Sequence, residues 1–413
     1  MKVCIVSDGL PFHHGGAQLR AYRHARYLQT NKGVNTILIA WDRIEQPVPA
    51  NSFVGNVFPV RLRFHRSGEK TKFVQIKDLF LHLFDISCRL GFLLFKLRYK
   101  YDVIHVINAA TWFNLMAVPL AKLIRKPVIL EMVLRGADDP IKLNERSHNK
   151  RKQIFPHRPL KYSLFLLADA YVSKFPALSA TYYEAKLPKS KLFQIHSAVD
   201  IDTYSPPTTL EKKNLRQELG LGINKTIILF VGLIIARKGV HQLLEAFNQV
   251  NTDHPQAHLL IVGPNSPSEM EYFQEILRQI EAWKLSEKVT LVNRQVTNVE
   301  SYLKAADIFV LPTHREGFSV AILEAMSTAL AIVTSDIPEI ALSQITDLEE
   351  GLLIPVGDIN RLADSIRELL RDPELRTRLG LAARERVIQE FTYEIVYDQY
   401  LRLYEHVLKQ NKL

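Results

Sequence analysis

Two glutamates, Glu316 and Glu324, stand eight residues apart on either side of a turn between two apolar segments. The first segment, residues 308–311, is typical of a strand buried on both faces, and Pro312 ends it. From Ser319 onward the chain is apolar nearly all round, which predicts a buried helix that carries Glu324. A buried carboxylate is costly without a partner, so each glutamate either pairs with a nearby cation or belongs to a binding site. The position of both glutamates around one turn favours a binding site.

Arg237 and Lys238 lie in a second turn of this kind, between a predicted strand at 226–231 and a predicted helix at 240–250. A lysine or arginine at a strand-to-helix turn can bind phosphate. The alternative is a solvated turn without a ligand. Because ligands of open parallel sheets bind at the carboxyl ends of strands, both turns are candidate parts of one site.

The two glutamates lie in the segments ADIFVLPTHREGF and LEAM, and together they resemble the E-x7-E motif of retaining glycosyltransferases, specifically the large family 4 with the GT-B fold. The resemblance implies that Glu316 faces the sugar of a nucleotide-sugar donor and that Glu324 binds its ribose. It also implies that backbone N–H groups of Gly317, Phe318 and Ser319, at a helix start, bind the diphosphate.

The turn with Arg237 and Lys238 resembles the V-G-R-L-x-x-x-K-G loop of the same family. Lys238 matches the lysine, whereas Leu233 stands at the arginine position, and Arg237 can replace that arginine from elsewhere in the loop. The family gives these cations the task of neutralising the leaving diphosphate. We therefore predict Glu316, Lys238 and Arg237 as catalytic residues, with no metal and no resident cofactor, since the nucleotide-diphosphate sugar is a substrate.

Near the amino terminus, a predicted strand at 2–6 and a predicted helix at 17–30 flank a loop that contains Gly15 and Gly16. Glycines allow backbone to approach a ligand closely, although a simple turn is the alternative. The loop resembles the family's P-x-x-G-G-x-E segment, with Gln18 in place of the glutamate, and this places both glycines among the donor-binding candidates. His13 and His14 either reach the acceptor or are solvated loop residues.

A further acceptor site is expected after the predicted strand at 126–132, where many family members carry a histidine. This chain has Asp138 and Asp139 in the segment that follows. They are candidate acceptor contacts, and a plain turn is the alternative. His105, inside an apolar run, is interpreted as a core histidine.

The chain has 413 residues, of which 47% are hydrophobic and 23% charged, which suits two globular domains. Its only cysteines, Cys4 and Cys88, stand in apolar runs, so both are predicted to be core residues. Two isolated cysteines indicate a reducing compartment.

The two halves of the chain differ in charge. Residues 1–200 contain 31 Lys and Arg against 14 Asp and Glu, a net charge of +17, whereas residues 201–413 contain 22 and 29, a net charge of −7. The basic half predicts an anionic surface or substrate as partner.

Two clusters of basic residues could contact an anionic membrane. The first consists of Arg146, Lys150, Arg151 and Lys152, and the second of Arg89, Lys96, Arg98 and Lys100. The second cluster belongs to a predicted helix at 73–101, which is either interfacial or packed on the sheet. No nucleic-acid-binding motif is recognisable, and no apolar run is long enough for a signal peptide or a membrane span. The expected location is cytoplasmic, with peripheral contact to the inner membrane face.

The regular β/α alternation predicts an α/β protein, and the resemblance implies GT-B: two Rossmann-like domains facing a cleft. Residues 1–205 would bind the acceptor, 206–390 the donor, and 391–413 would form a helix crossing back to the first domain, with 206–225 as a polar linker. The implied activity is retaining transfer of a sugar to a glycan or lipid-linked acceptor. The alternatives are a sugar-nucleotide epimerase of the same fold and a non-catalytic protein that binds anions or membranes.

Overall fold

The computed structural model describes residues 1–10, 16–41, 56–61, 72–144 and 157–411. The chain forms two compact units: unit 1 comprises Met1–His196 and Tyr397–Leu413, and unit 2 comprises Ser197–Val396. The second division falls inside the last helix, which begins in unit 2 and ends in unit 1. The sequence-based boundaries at 205/206 and 390/391 lie within ten residues of these divisions.

Unit 1 is built on a parallel sheet of seven strands with the order β3-β2-β1-β4-β5-β6-β7. Its strands are β1 (Lys2–Ser7), β2 (Asn35–Trp41), β3 (Asn56–Val60), β4 (Val103–Ile107), β5 (Val128–Glu131), β6 (Ala170–Ser173) and β7 (Leu192–Gln194). Its helices are α1 (Gly16–Asn31), α2 (Lys72–Leu97), α3 (Trp112–Leu123), α4 (Pro140–Asn144), α5 (His157–Phe165) and α6 (Pro176–Glu184).

Unit 2 is built on a parallel sheet of six strands with the order β10-β9-β8-β11-β12-β13. Its strands are β8 (Thr226–Val231), β9 (Ala257–Val262), β10 (Val289–Val292), β11 (Ile308–Leu311), β12 (Ala331–Ser335) and β13 (Leu352–Ile354). The remaining helices are α7 (Thr209–Glu218), α8 (Val240–Val250), α9 (Met270–Ala282), α10 (Val299–Ala305), α11 (Val320–Ser327), α12 (Pro338–Ala341), α13 (Ile359–Arg371), α14 (Pro373–Glu390) and α15 (Tyr393–Gln410), of which α15 ends in unit 1.

Both units are doubly wound, which confirms the α/β class and the two Rossmann-like domains. Strand β11 is buried along its whole length, and β8 is buried in all but its two end residues, because helices cover both faces of the sheet. In unit 2 the strand order reverses between β8 and β11, and in unit 1 between β1 and β4. The connections there leave in opposite directions, which opens a crevice at the carboxyl ends of the two strands.

Two predictions about individual segments are wrong. The expected polar linker at 206–225 contains the helix α7, because the side chain of Thr208 caps its first turn and Arg216 anchors it to Asp307 at 2.6 Å. Cys88 is exposed on α2 and is not a core residue, whereas Cys4 in β1 is buried as predicted.

Among the residues that the structure describes, no helix is long and apolar enough to cross a membrane.

Candidate functional site

Glycines bring the loops at the carboxyl ends of the unit 2 strands into close contact. Gly239, between the loop after β8 and helix α8, has a φ of +72°, and a Cβ there would collide with the carbonyl oxygen of Pro312. Gly263, after β9, has a φ of +141°, and a Cβ there would collide with the carbonyl oxygen of Gly232. Side chains at either position would force these loops apart.

Backbone hydrogen bonds hold the turn after β8 against the turn after β11. The Arg237 carbonyl accepts hydrogen bonds from the His314 N–H at 2.8 Å and from the Thr313 hydroxyl at 3.0 Å. Arg237 Nη1 donates in return to the carbonyl of Arg315 at 2.9 Å. The two turns therefore form one platform over the switch point between β8 and β11.

The side chains of Arg237, Lys238 and Glu316 meet on this platform, and we refer to them as the strand-end cluster. Lys238 Nζ is in direct contact with Glu316 Oε2, and Arg237 Nη1 lies 3.5 Å from the same oxygen. Burial alone would raise the pKa of Glu316, but the charges of Lys238 and Arg237 hold that pKa below its ordinary value. The side chains of Lys238 and Glu316 are 10% and 13% exposed, and that of Arg237 is 41% exposed. The cluster is thus a charged, partly open group at the carboxyl ends of two neighbouring strands.

Glu324 lies on α11, buried as predicted with 6% of its surface exposed. At the start of that helix, the Ser319 N–H donates to Gln344 Oε1 at 2.9 Å, and Gln344 Nε2 donates to the Ser319 carbonyl at 2.8 Å. The Gly317 N–H lies 3.3 Å from the Glu316 carboxylate. A ligand that used these two N–H groups would have to replace existing bonds.

The equivalent edge of unit 1 carries polar residues that the sequence analysis did not select. Asp8, directly after β1, accepts hydrogen bonds from Gln18 at 3.0 Å and from Asn108, directly after β4, at 3.1 Å. Asn108 has a φ of +75°. Their position directly after buried strands is the sequence signal that could have identified them. Gly16 is the first residue of α1, and His13, His14 and Gly15 lie outside the described residues.

Asp138 and Asp139 are both buried, and the backbone occupies their carboxylates. Asp138 accepts hydrogen bonds from the N–H groups of Val133 at 2.6 Å and Leu134 at 2.8 Å. Asp139 accepts them from the N–H groups of Gly136 and, at 2.9 Å, of Lys142. Burial raises the pKa of Asp138 to about 7. Such contacts are those of a plain turn, which was the alternative interpretation of this segment. A role of these two carboxylates in acceptor binding stays a prediction.

Within the described residues, no group of three His, Cys, Asp or Glu side chains could hold a metal ion.

A second ionic group, which the sequence analysis missed, lies in the interior of unit 1. Glu131 forms ion pairs with Arg20 at 2.6 Å and Lys174 at 3.0 Å, and it accepts a hydrogen bond from Tyr400 on α15 at 2.5 Å. We refer to these four residues as the buried cluster. Glu131 and Lys174 are fully buried. An acid at the end of the apolar run at 128–131, like Glu324 in its helix, is the signal that could have revealed it.

The buried cluster continues through His105, which is a core histidine as predicted. His105 Nδ1 and His24 Nε2 flank the Tyr404 hydroxyl at 2.8 and 2.9 Å. Burial lowers the pKa of both histidines. Tyr400 and Tyr404 thereby attach the α15 part of unit 1 to its sheet, which agrees with the predicted return of the last helix to the first domain.

Residues 211–386 match the family described as Glycosyl transferases group 1. The match includes the whole strand-end cluster and Glu324. Unit 2 contains a group 1 glycosyltransferase domain.

CapM, a capsular polysaccharide biosynthesis glycosyltransferase of Staphylococcus aureus, is 27% identical over 49% of this chain and 52% of CapM. An alpha-maltose-1-phosphate synthase of Mycolicibacterium smegmatis is 29% identical over 54% of this chain and 58% of that protein. The chain thus spans a little over half the length of these curated relatives.

Solved structures resemble this chain over nearly its whole length. HepE of Anabaena, solved with UDP and glucose, has a TM-score of 0.77 at 17% identity and covers 98% of this chain and 99% of its own. Sucrose-phosphate synthase of Thermosynechococcus elongatus has a TM-score of 0.76 at 21% identity, with 99% of this chain and 100% of its own covered. These likenesses show the shared GT-B fold. The family match and the named relatives support an enzyme of the transferase class, and they do not favour an epimerase or a non-catalytic protein.

Proposed function

We propose that this protein is a retaining glycosyltransferase of family 4 that uses a nucleotide-diphosphate sugar as donor. The observation that carries the proposal is the strand-end cluster, in which two cations and one carboxylate meet at the switch point of the group 1 domain. Ligands of doubly wound sheets bind at that point. HepE, whose fold is similar, was solved with UDP and with UDP-glucose, which supports a donor of this class.

Lys238 and Arg237 bind the diphosphate and stabilise the negative charge that grows on it as the sugar leaves. This is electrostatic stabilisation by preorganised charges, and the backbone bonds around the Arg237 carbonyl provide the preorganisation. The partial exposure of Arg237 leaves its guanidinium accessible to a phosphate. Glu316, held by both cations, orients the donor sugar.

Glu324 accepts hydrogen bonds from the ribose hydroxyls, and the start of α11 faces the phosphates. The amino terminus of a helix favours an anion through its dipole and its unpaired N–H groups. Since Gln344 occupies the Ser319 N–H, this part of the site binds the donor after a local exchange of hydrogen bonds. Gly15 and Gly16 remain candidate donor contacts, as the resemblance of their loop to the P-x-x-G-G-x-E segment implies.

The acceptor is a glycan or a lipid-linked molecule bound by unit 1, with His13, His14, Asp138 and Asp139 as the candidate contacts. We further propose that the protein is cytoplasmic and works peripherally on the inner membrane face. The net charge of +17 on residues 1–200 supports this location, because anionic lipids attract basic segments.

The deciding experiment incubates the purified protein with a panel of radiolabelled nucleotide sugars and with glycan or lipid-extract acceptors. The expected result is transfer of label from one donor, with the anomeric configuration of the donor kept in the product, as measured by NMR. An isomerised donor would establish an epimerase instead. Binding without turnover for any acceptor would contradict the enzyme, and an inverted linkage would contradict retention.

A further inference from the structure

Helix α2 has two apolar sides, one whose leucine and isoleucine side chains are buried and one whose aromatic rings are more than half exposed. Leu79, Ile86, Leu90, Leu94 and Leu97 are all buried, with at most 4% of their surface exposed. Phe80, Phe84, Phe92 and Phe95 point the other way and are 58%, 66%, 67% and 52% exposed. Their spacings of four, eight and three residues keep these four rings on one side of the helix.

The apolar surface continues beyond the helix. Tyr99, in the turn after α2, is 77% exposed, and Leu123, the last residue of α3, is 79% exposed. At Gly91 a Cβ would stand 3.0 Å from the Leu120 side chain, so the small residue lets α3 approach α2 closely. We refer to Phe80, Phe84, Phe92, Phe95, Tyr99 and Leu123 as the aromatic face. Adjoining exposed apolar side chains that form one surface mark an interaction site.

Cationic side chains accompany the aromatic face. Lys77 is exposed at one end of it, and Lys96 and Lys100 are exposed at the other. The Arg98 guanidinium lies 3.8 Å from the ring centre of Phe95 and 4.2 Å from that of Tyr99, and it shares a surface recess with Leu123 and Arg125. Stacking on rings positions this cation at the edge of the apolar surface.

The acids of α2 do not oppose this charge. Asp85 is buried and forms an ion pair with Arg89 at 2.5 Å, and Asp78 is half-buried. The exposed residues of this side of the helix are therefore apolar, neutral or positive.

We propose that the aromatic face is a docking surface for a lipid bilayer with anionic headgroups. Aromatic rings and basic side chains on one helix side match the boundary between acyl chains and headgroups, where rings enter and cations contact phosphates. A protein partner fits less well, because lysines are depleted at protein interfaces. The helix lies parallel to the membrane, with its leucine side on the protein. The inference concerns unit 1 and is tested without a sugar donor, so it stands or falls separately from the transfer reaction.

The first test measures co-sedimentation of the full chain with vesicles of phosphatidylcholine containing 0 to about 40% phosphatidylglycerol, at low and high salt. Binding should rise with anionic lipid and fall with salt. Phe84→Ser with Phe92→Ser should weaken binding about tenfold or more, because the bilayer then loses two exposed rings that it would bury on docking. The matched control changes two exposed leucines of unit 2, Leu210→Ser with Leu381→Ser, which are 68% and 58% exposed, and should bind normally.

The charge contribution is tested with Lys96, Arg98 and Lys100 changed to Gln. Each basic residue near an anionic bilayer contributes about fivefold, so binding should fall roughly a hundredfold. The control changes three exposed basic residues of unit 2, Lys213, Lys284 and Arg361, to Gln. Equal losses in both triple variants would mean that the overall charge, and not this surface, attracts the lipid, and the proposal would be wrong.

A spectroscopic test uses the natural cysteines, since Cys88 is exposed between Phe84 and Phe92 whereas Cys4 is buried. An environment-sensitive fluorophore attached to Cys88 should shift its emission to the blue on anionic vesicles. The same label at a unit 2 position, in the variant Cys88→Ser with Leu381→Cys, should not shift. An unshifted Cys88 label with vesicle binding intact would overturn the docking surface. Concentration-dependent self-association lost in the serine pair would assign the face to a second copy of the chain instead.

Discussion

Glu316 in unit 2 and Glu131 in unit 1 each meet one lysine and one arginine near the carboxyl end of a parallel strand. Their surroundings differ. Glu131 and Lys174 are fully buried and share a tyrosine hydroxyl from α15. Arg237 is 41% exposed, and the loops around it have backbone positions that only glycine allows. A carboxylate paired with a lysine and an arginine therefore stabilises the fold where the group is fully buried. Where one of its cations is exposed to solvent, the same group is accessible to a ligand.

The largest effect is expected from Glu131→Gln, because it leaves Arg20 and Lys174 without their carboxylate. Removing one partner of a buried ion pair costs about 3–5 kcal/mol of the free energy of unfolding. Urea denaturation of the variant measures this loss. The control is Glu374→Gln on exposed helix surface, which should change the unfolding free energy by no more than about 0.5 kcal/mol. A loss as small as the control's would mean that the buried cluster does not stabilise unit 1.

Lys238→Ala should lower kcat about a hundredfold to a thousandfold, the usual loss when one preorganised group that stabilises transition-state charge is removed. KM should change less, because the charge on the leaving diphosphate grows in the transition state. Steady-state kinetics with the donor identified by the sugar panel measure both constants. Lys213→Ala, an exposed lysine of unit 2, is the matched control. Near-normal turnover in Lys238→Ala would remove the strand-end cluster from the mechanism.

Glu324→Gln should weaken donor binding about tenfold to a hundredfold, because a hydrogen bond to a charged group contributes about 1.5–3 kcal/mol. Isothermal titration with the nucleotide measures the dissociation constant, and Glu374→Gln again serves as control. Unchanged affinity would show that Glu324 does not bind the ribose.

The smallest effect concerns acid stability. The pKa of Glu316 in the folded protein lies below its ordinary value of 4.5 although burial opposes this, because Lys238 and Arg237 favour the carboxylate. The stabilisation is complete above pH 4.5 and is lost as the pH falls through the lower folded pKa, since the unfolded chain takes up the proton first. Glu316→Gln should therefore lose less stability than the wild type between pH 5 and about 3, as measured by urea unfolding at each pH. Parallel curves for the two proteins would contradict a depressed pKa.

Most strands and helices could be predicted from the sequence, because burial on a doubly wound sheet leaves a local apolar pattern. The strands β8 and β11 and the helix α8 begin and end where predicted. The helix α7 was missed because its polar composition resembles a linker, and a partly buried salt bridge from Arg216 to the distant Asp307 helps to hold it in place. Cys88 was misplaced because the apolar pattern of α2 does not tell which of its two apolar sides is covered.

The sequence by itself determined which turns carry charge, since Lys238 and Glu316 follow recognisable buried strands and sit in motifs with characteristic spacing. Only the tertiary structure decided that β8 and β11 are neighbours and that the two side chains touch, although 78 residues separate them. It likewise decided that Glu131 meets Tyr400, 269 residues away, and that the rings of α2 remain exposed. The physical reason is that periodicity records the local direction of a side chain, whereas strand order and burial depend on which distant segments occupy the neighbouring space.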